Sequence, residues 1–127
     1  MKNKISLFIL LISVWSVQLF ANPIDGLLER IDKGASHKFV IELKKGDKDF
    51  FELDQKGKKV VVRGNTYVNI ATGLNWYLKY YAGIHLTWNG MQAKLPDVLP
   101  PVEEKLRKET DLSLRYDFNY CTYSYSM

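Results

Sequence analysis

Apolar residues along this chain recur first at helical spacing, then in short continuous runs, and each change of period marks a new element. Over 23–33, Ile24, Leu27, Leu28 and Ile31 fall three and four residues apart, and Gly34 is placed as a stop. That pattern predicts a short amphipathic helix. Three β-branched and aromatic runs follow at 39–43, 50–53 and 59–63, separated by the polar, glycine-bearing turns Lys44-Lys45-Gly46-Asp47-Lys48 and Asp54-Gln55-Lys56-Gly57-Lys58. They predict three strands in a meander. Asn65 is positioned to cap a helix over 66–82, in which Tyr67, Ile70, Ala71, Leu74, Tyr77, Leu78 and Tyr81 share one side before Gly83 ends it. Gly73 inside this helix costs about 1 kcal/mol against alanine, which implies close packing against a strand. A further strand is expected over 84–88. The order strand, helix, strand from 59 to 88 predicts a βαβ crossover and at least one parallel pair. The fold class is therefore α+β (an α/β layered domain): a small mixed sheet with helices on one face.

The pattern breaks after Leu95. Pro96, Pro100 and Pro101 fall within six residues, and 102–111 is charged. We expect an accessory domain over 22–95 and a proline-rich, charged linker over 96–111, with one or two solvated helical turns in its second half. Beyond it, Leu112, Leu114, Tyr116, Phe118 and Tyr120 alternate with Ser113, Arg115, Asp117, Asn119 and then Cys121. Period-two alternation predicts a strand with one aromatic side and one polar side.

The amino end changes how all of this is read. Met1-Lys2-Asn3-Lys4 is a basic start, and Ile5 to Ala21 is an uncharged, mostly apolar run before Asn22-Pro23. It fits a secretory signal peptide cleaved after Ala21, and it is short and serine-diluted for a membrane anchor. The expected location is exported, periplasmic or extracellular, with no membrane contact after cleavage. Cleavage removes Lys2 and Lys4 and no acidic residue, so the formal net charge of +4 falls to +2. That charge is too small, and the lysines too scattered, for a nucleic-acid partner. A single cysteine, Cys121, allows no internal disulfide framework.

Several chemistries are excluded on spacing. The eight glycines stand singly, so there is no phosphate-cradling loop. His37 and His85 lack the grouped partners that a metal needs, and no metal or cofactor is expected. Ser124 and Ser126 have no Gly-x-Ser-x-Gly setting. Glu103-Glu104 and Asp47/Asp49 read as solvated charge, and Lys44-Lys45 with 56–59 as solvated turns. Trp76 and Trp88 read as packing aromatics rather than sugar platforms. Asn119 and Cys121, on one strand face, are the pair that stands out. From the residues alone they suit either a pocket lining or a backbone-satisfying amide beside an inert thiol.

Arg63-Gly64-Asn65-Thr66, Gly73-Leu74-Asn75-Trp76-Tyr77-Leu78, Gly83-Ile84-His85-Leu86-Thr87-Trp88-Asn89-Gly90 and Leu95-Pro96 resemble the amino-terminal domain of the α-N-acetylglucosaminidases, glycoside hydrolase family 89. Arg115-Tyr116 and Asn119-Tyr120-Cys121-Thr122-Tyr123-Ser124-Tyr125-Ser126 look like the start of that family's catalytic (β/α)₈ barrel. The resemblance implies an exo-acting, retaining hydrolase that releases terminal α-linked N-acetylglucosamine from glycans. It also implies that Asn119 and Cys121 line the pocket for the terminal sugar, the amide bonding its hydroxyls and the sulfur packing near its ring. Retention needs two carboxylates about 5–5.5 Å apart, which the family supplies from distant barrel glutamates that nothing here matches. A barrel of this kind takes about 250 residues. We therefore expect 112–127 to be the isolated first strand of a truncated barrel, partnered by the missing catalytic unit, and the chain alone to be inactive. The alternative is a stand-alone secreted accessory domain with a carbohydrate-binding or structural role.

Overall fold

The structure is a computed structural model that describes residues 22–87, 90–92 and 94–112. The expected signal peptide, Trp88, the expected barrel strand and the pair Asn119 and Cys121 lie outside the described residues. Helix α1 (Pro23–Ile31) begins where Asn22 caps it, its side chain accepting from the Ile24 N–H at 3.0 Å, with Pro23 at the first helical position. A 3₁₀ turn (Ala35–Lys38) leads into β1 (Phe39–Leu43), followed by β2 (Asp49–Lys56) and β3 (Lys59–Gly64). Then come α2 (Tyr67–Tyr80), the short strands β4 (His85–Thr87) and β5 (Gly90–Gln92), and β6 (Leu106–Thr110).

The main sheet has the order β1-β3-β2-β6, so the three early strands are not a meander. β2 and β3 form a hairpin across Gly57-Lys58, and β1 pairs in parallel with the far edge of β3. Burial explains the correction. Val60, Val61 and Val62 are all at most 1% exposed, so β3 is buried on both faces and takes the centre. That placement also undoes the expected crossover. With both edges of β3 taken, β4 has no place in the main sheet beside it, and it pairs with β5 in a separate two-stranded ribbon. The parallel pair exists, but it is β1 with β3.

On one face, Phe39, Phe51, Leu53, Val60 and Val62 meet Ile24, Leu28 and Ile31 of α1 and Ile70, Leu74, Tyr77 and Leu78 of α2 in one apolar cluster. Leu95, Leu99 and Val102 join the same cluster, so 95–102 runs over the core as a strap anchored at three points, with Val98 between them exposed. The stretch after it is strand rather than helical turns. β6 pairs antiparallel with β2, from Asp49 opposite Thr110 to Leu53 opposite Leu106.

Two glycines mark where helix and sheet touch. A Cβ on Gly73 would lie 3.0 Å from the Phe51 side chain, which is the close helix–strand packing expected of it. On Gly64 it would lie 3.0 Å from the Ile70 backbone nitrogen and 3.1 Å from the Phe50 carbonyl oxygen. Backbone cannot swing aside as a side chain can. Gly64→Ala should therefore cost about 2 kcal/mol in urea unfolding, as overpacking does. Gly73→Ala should cost less, because it meets the Phe51 Cβ and ring rather than backbone atoms and alanine returns about 1 kcal/mol of helix propensity.

Candidate functional site

The charged chemistry of the domain sits on the sheet face away from the helices. Strand register places Glu42, Arg63, Glu52 and Arg107 in one row across all four strands, alternating in sign. The Arg63 guanidinium donates to Glu42 at 2.5 Å and to Asp54 at 2.8 Å. Glu52 has a side chain only 2% exposed and takes three cations: Arg107 at 2.7 Å, Lys105 at 3.1 Å and Lys44 at 3.3 Å. The Arg107 guanidinium also lies 3.8 Å above the Phe50 ring, which covers the apolar patch beside it.

These contacts fix the protonation states. Burial pushes the Glu52 carboxyl upward, but the hydrogen bonds from Arg107, Lys105 and Lys44 outweigh it and hold the pKa at about 2. The Asp54 carboxyl is lowered chiefly by Arg63, with a further bond from the Gln55 N–H. A glycosidic acid/base needs a carboxyl that holds its proton near neutrality, usually through burial without counter-charge. Glu52 and Asp54 are tuned the opposite way, as struts that are ionised at neutral pH. Lys44, expected as part of a solvated turn, is one of the cations on Glu52.

A second polar cluster joins the start of α2 to the start of β2. Thr66, not Asn65, caps α2, its hydroxyl accepting from the Asn69 N–H at 3.1 Å. Asn65 is occupied elsewhere. Its oxygen accepts from the Phe50 N–H and from the Asn69 amide, and its nitrogen donates to the Lys48 carbonyl and to Asp49. The Asn69 amide donates to Asp49 as well. Beside this knot, a notch of about 180 Å³ opens between α2 and the β2–β6 edge, lined by Asn69, Thr72, Lys108 and Thr110 among others. Ligand clefts usually begin near ~300 Å³, so the notch does not enclose a glycan.

Trp76 packs as expected. Its ring centroid lies 5.8 Å from Phe51 and 4.5 Å from Tyr80, with the Lys108 ammonium 5.6 Å over it. Neighbours on several sides leave it unsuited to stacking a sugar. His85 is exposed, and among the described residues no three His, Cys, Asp or Glu side chains gather as a metal site. Nothing in the single-residue pattern pointed to the Glu52 cluster, because Lys44, Glu52, Lys105 and Arg107 are far apart in sequence. The one available signal was a lone acidic residue, Glu52, inside the otherwise apolar run Phe50-Phe51-Glu52-Leu53.

Comparison with known proteins gives this fold its setting. The profile described as the alpha-N-acetylglucosaminidase (NAGLU) N-terminal domain matches residues 22–101. Human alpha-N-acetylglucosaminidase is 46% identical over 68 residues, which are 54% of this chain and 9% of the human protein. A family 89 glycoside hydrolase from Clostridium perfringens, solved in complex with 2-acetamido-1,2-dideoxynojirmycin, superposes with a TM-score of 0.73 at 34% identity. The match covers 90% of this chain and 14% of that one. The same holds for a variant of that bacterial enzyme bound to its substrate GlcNAc-α-1,4-galactose, of which 13% is covered. This chain thus spans a small part of the length of the relatives it matches. Over its described fold, it belongs to the α-N-acetylglucosaminidase N-terminal domain family.

Proposed function

We propose that the chain is the amino-terminal module of an exported α-N-acetylglucosaminidase, an exo-acting, retaining hydrolase that releases terminal α-linked N-acetylglucosamine from glycans. The observation that carries this reading is 34% identity across 90% of the chain to family 89 hydrolases, one of them holding a GlcNAc-α-linked disaccharide. In that enzyme residues 1–21 are the export signal, and 112–127 opens the catalytic barrel. Asn119 and Cys121 face the terminal sugar. The module itself braces the catalytic unit and contributes no acid/base, because its buried carboxylate, Glu52, is locked in the ionised form.

Two measurements test this. The 127-residue chain should show no turnover of an aryl α-N-acetylglucosaminide, whereas a polypeptide continuing through a family 89 catalytic unit should. Turnover by the short chain would overturn the claim that it is inert alone. In the longer polypeptide, Asn119→Ala should weaken substrate use while leaving the thermal midpoint unchanged. An unchanged kcat/KM would remove Asn119 from the sugar pocket.

A further inference from the structure

We propose that the notch between α2 and the β2–β6 edge seats the acetamido group of an N-acetylhexosamine residue, with the sugar ring outside it. The Asn69 side chain carries this assignment. Asn69 is 4% exposed and lines the notch, and its amide nitrogen donates to the Asn65 oxygen at 2.6 Å and to Asp49 at 3.0 Å. That orientation is fixed from the backbone upward. Asn65 must give its oxygen to the Phe50 N–H and its nitrogen to the Lys48 carbonyl, so its oxygen is what Asn69 meets. The Asn69 nitrogen is thus committed to two acceptors, and its own oxygen, Oδ1, accepts no hydrogen bond among the described residues. Nor is Oδ1 sealed off, since every enclosed side-chain oxygen and nitrogen among those residues has a partner. An amide oxygen on a buried side chain, left open at a cavity, calls for a donor from outside.

The rest of the lining selects the donor. It is mostly apolar, with the buried Phe51 among it, and Lys108 stands on the β6 side with its ammonium over the Trp76 ring. The Thr72 hydroxyl donates to the Val68 carbonyl at 3.0 Å, so toward the notch it offers only lone pairs. An acceptor, an apolar wall and a cationic donor together complement a secondary amide that bears a methyl group. Its N–H meets Asn69, its methyl the Phe51 side, and its carbonyl Lys108. A lone hydroxyl would leave the apolar wall uncovered, and a guanidinium or ammonium would be repelled by Lys108. At about 180 Å³ the notch equals roughly six water volumes of ~30 Å³ each, enough for the acetamido atoms but not for a pyranose ring as well. The choice of a sugar as bearer of that group rests on the proposed function, in which the chain serves an enzyme of N-acetylglucosamine-containing glycans. The notch then holds a second such residue of the glycan.

Titrating the isotope-labelled full chain with N-acetylglucosamine should move the Asn69 side-chain amide signals and the Thr72 and Thr110 backbone amides. Saturation should come in the millimolar range, which is what so small a contact supports. N-methylacetamide should move the same signals, and glucose should move none of them. Thr72→Phe fills the notch from an exposed helix position without touching the Asn65–Asp49 knot, and should abolish the shifts. Lys108→Met keeps the stem over Trp76 and should weaken binding about fivefold, the loss of one hydrogen bond; it serves alone should Thr72→Phe lose its folded spectrum. The assignment is overturned if N-acetylglucosamine or N-methylacetamide leaves these signals still, if glucose moves them equally, or if the folded variants bind as the wild type does. Because the readout is binding, it is independent of whether the longer polypeptide turns over an aryl α-N-acetylglucosaminide.

Discussion

Truncating Tyr77 to alanine should lower the unfolding free energy by about 4 kcal/mol, the range found for removing a buried aromatic ring. Tyr77 is fully buried on the sheet side of α2. The Phe39 ring meets it edge-on at 5.7 Å, and the Tyr81 ring stacks on it at 5.4 Å. Its hydroxyl donates to the Pro100 carbonyl at 2.6 Å. One side chain thus joins helix, sheet and strap. Burial, aided by Tyr81, raises the phenol pKa well above its ordinary value, so the hydroxyl remains a donor across the accessible pH range. Tyr77→Phe separates the two contributions: it keeps the ring and should cost only about 1 kcal/mol, the usual worth of one hydrogen bond. Urea unfolding measures both variants. In Tyr77→Phe, hydrogen exchange at the Leu95 and Val102 amides should quicken more than at β3, because the strap loses its tie. A phenylalanine variant as damaged as the alanine one would show that the hydroxyl, not the ring, carries the site.

Glu52→Gln should cost about 2 kcal/mol at neutral pH, a figure reduced from the full pKa displacement because the three cations are half-exposed and solvent screens them. The glutamine keeps the volume and removes the charge, leaving Arg107, Lys105 and Lys44 facing one another. The sign of the pH dependence follows from a pKa lowered from 4.5 to about 2. The stabilisation is fully present above about pH 4.5 and is lost as pH falls toward 2. The gap between wild type and Glu52→Gln in guanidinium unfolding should accordingly be constant from pH 7 to 5 and narrow below that. A gap that stays level down to pH 3 would mean the charge is not what stabilises Glu52.

Local pattern carried the elements much further than it carried their arrangement. The repeat from Tyr67 to Tyr81 located α2 within two residues at its end, and the single Gly73 announced contact with a strand. Strand order was harder, because β1, β2 and β3 have similar side-chain patterns and a meander was the shortest path between them. The discriminating sign was Val60-Val61-Val62, a run with no polar face, which belongs at a sheet centre. β6 was hidden by its edge position. Leu106-Arg107-Lys108-Glu109-Thr110 exposes most of its side chains, so it shows charge where a strand pattern was sought. The lone Glu52 in an apolar run hinted at a buried charge, but its partners appeared only when β6 brought Arg107 beside β2. The Pro-rich stretch misled in the same way, since prolines mark extended chain but not whether that chain is solvated or buried.

The place of β6 bears on how such a module is made. During synthesis β1, β2, β3 and α2 are complete long before residues 106–110 exist, and until then the outer edge of β2 has unmet backbone donors and acceptors. Phe50 and Phe51 lie along that edge, and Glu52 has lost two of its three cations, keeping only Lys44. An open edge of this kind recruits other strands. Newly made chains should thus be most prone to aggregate in the interval before Thr110 emerges. A recombinant version cut at 101, where the family profile stops, would hold the domain permanently in that state.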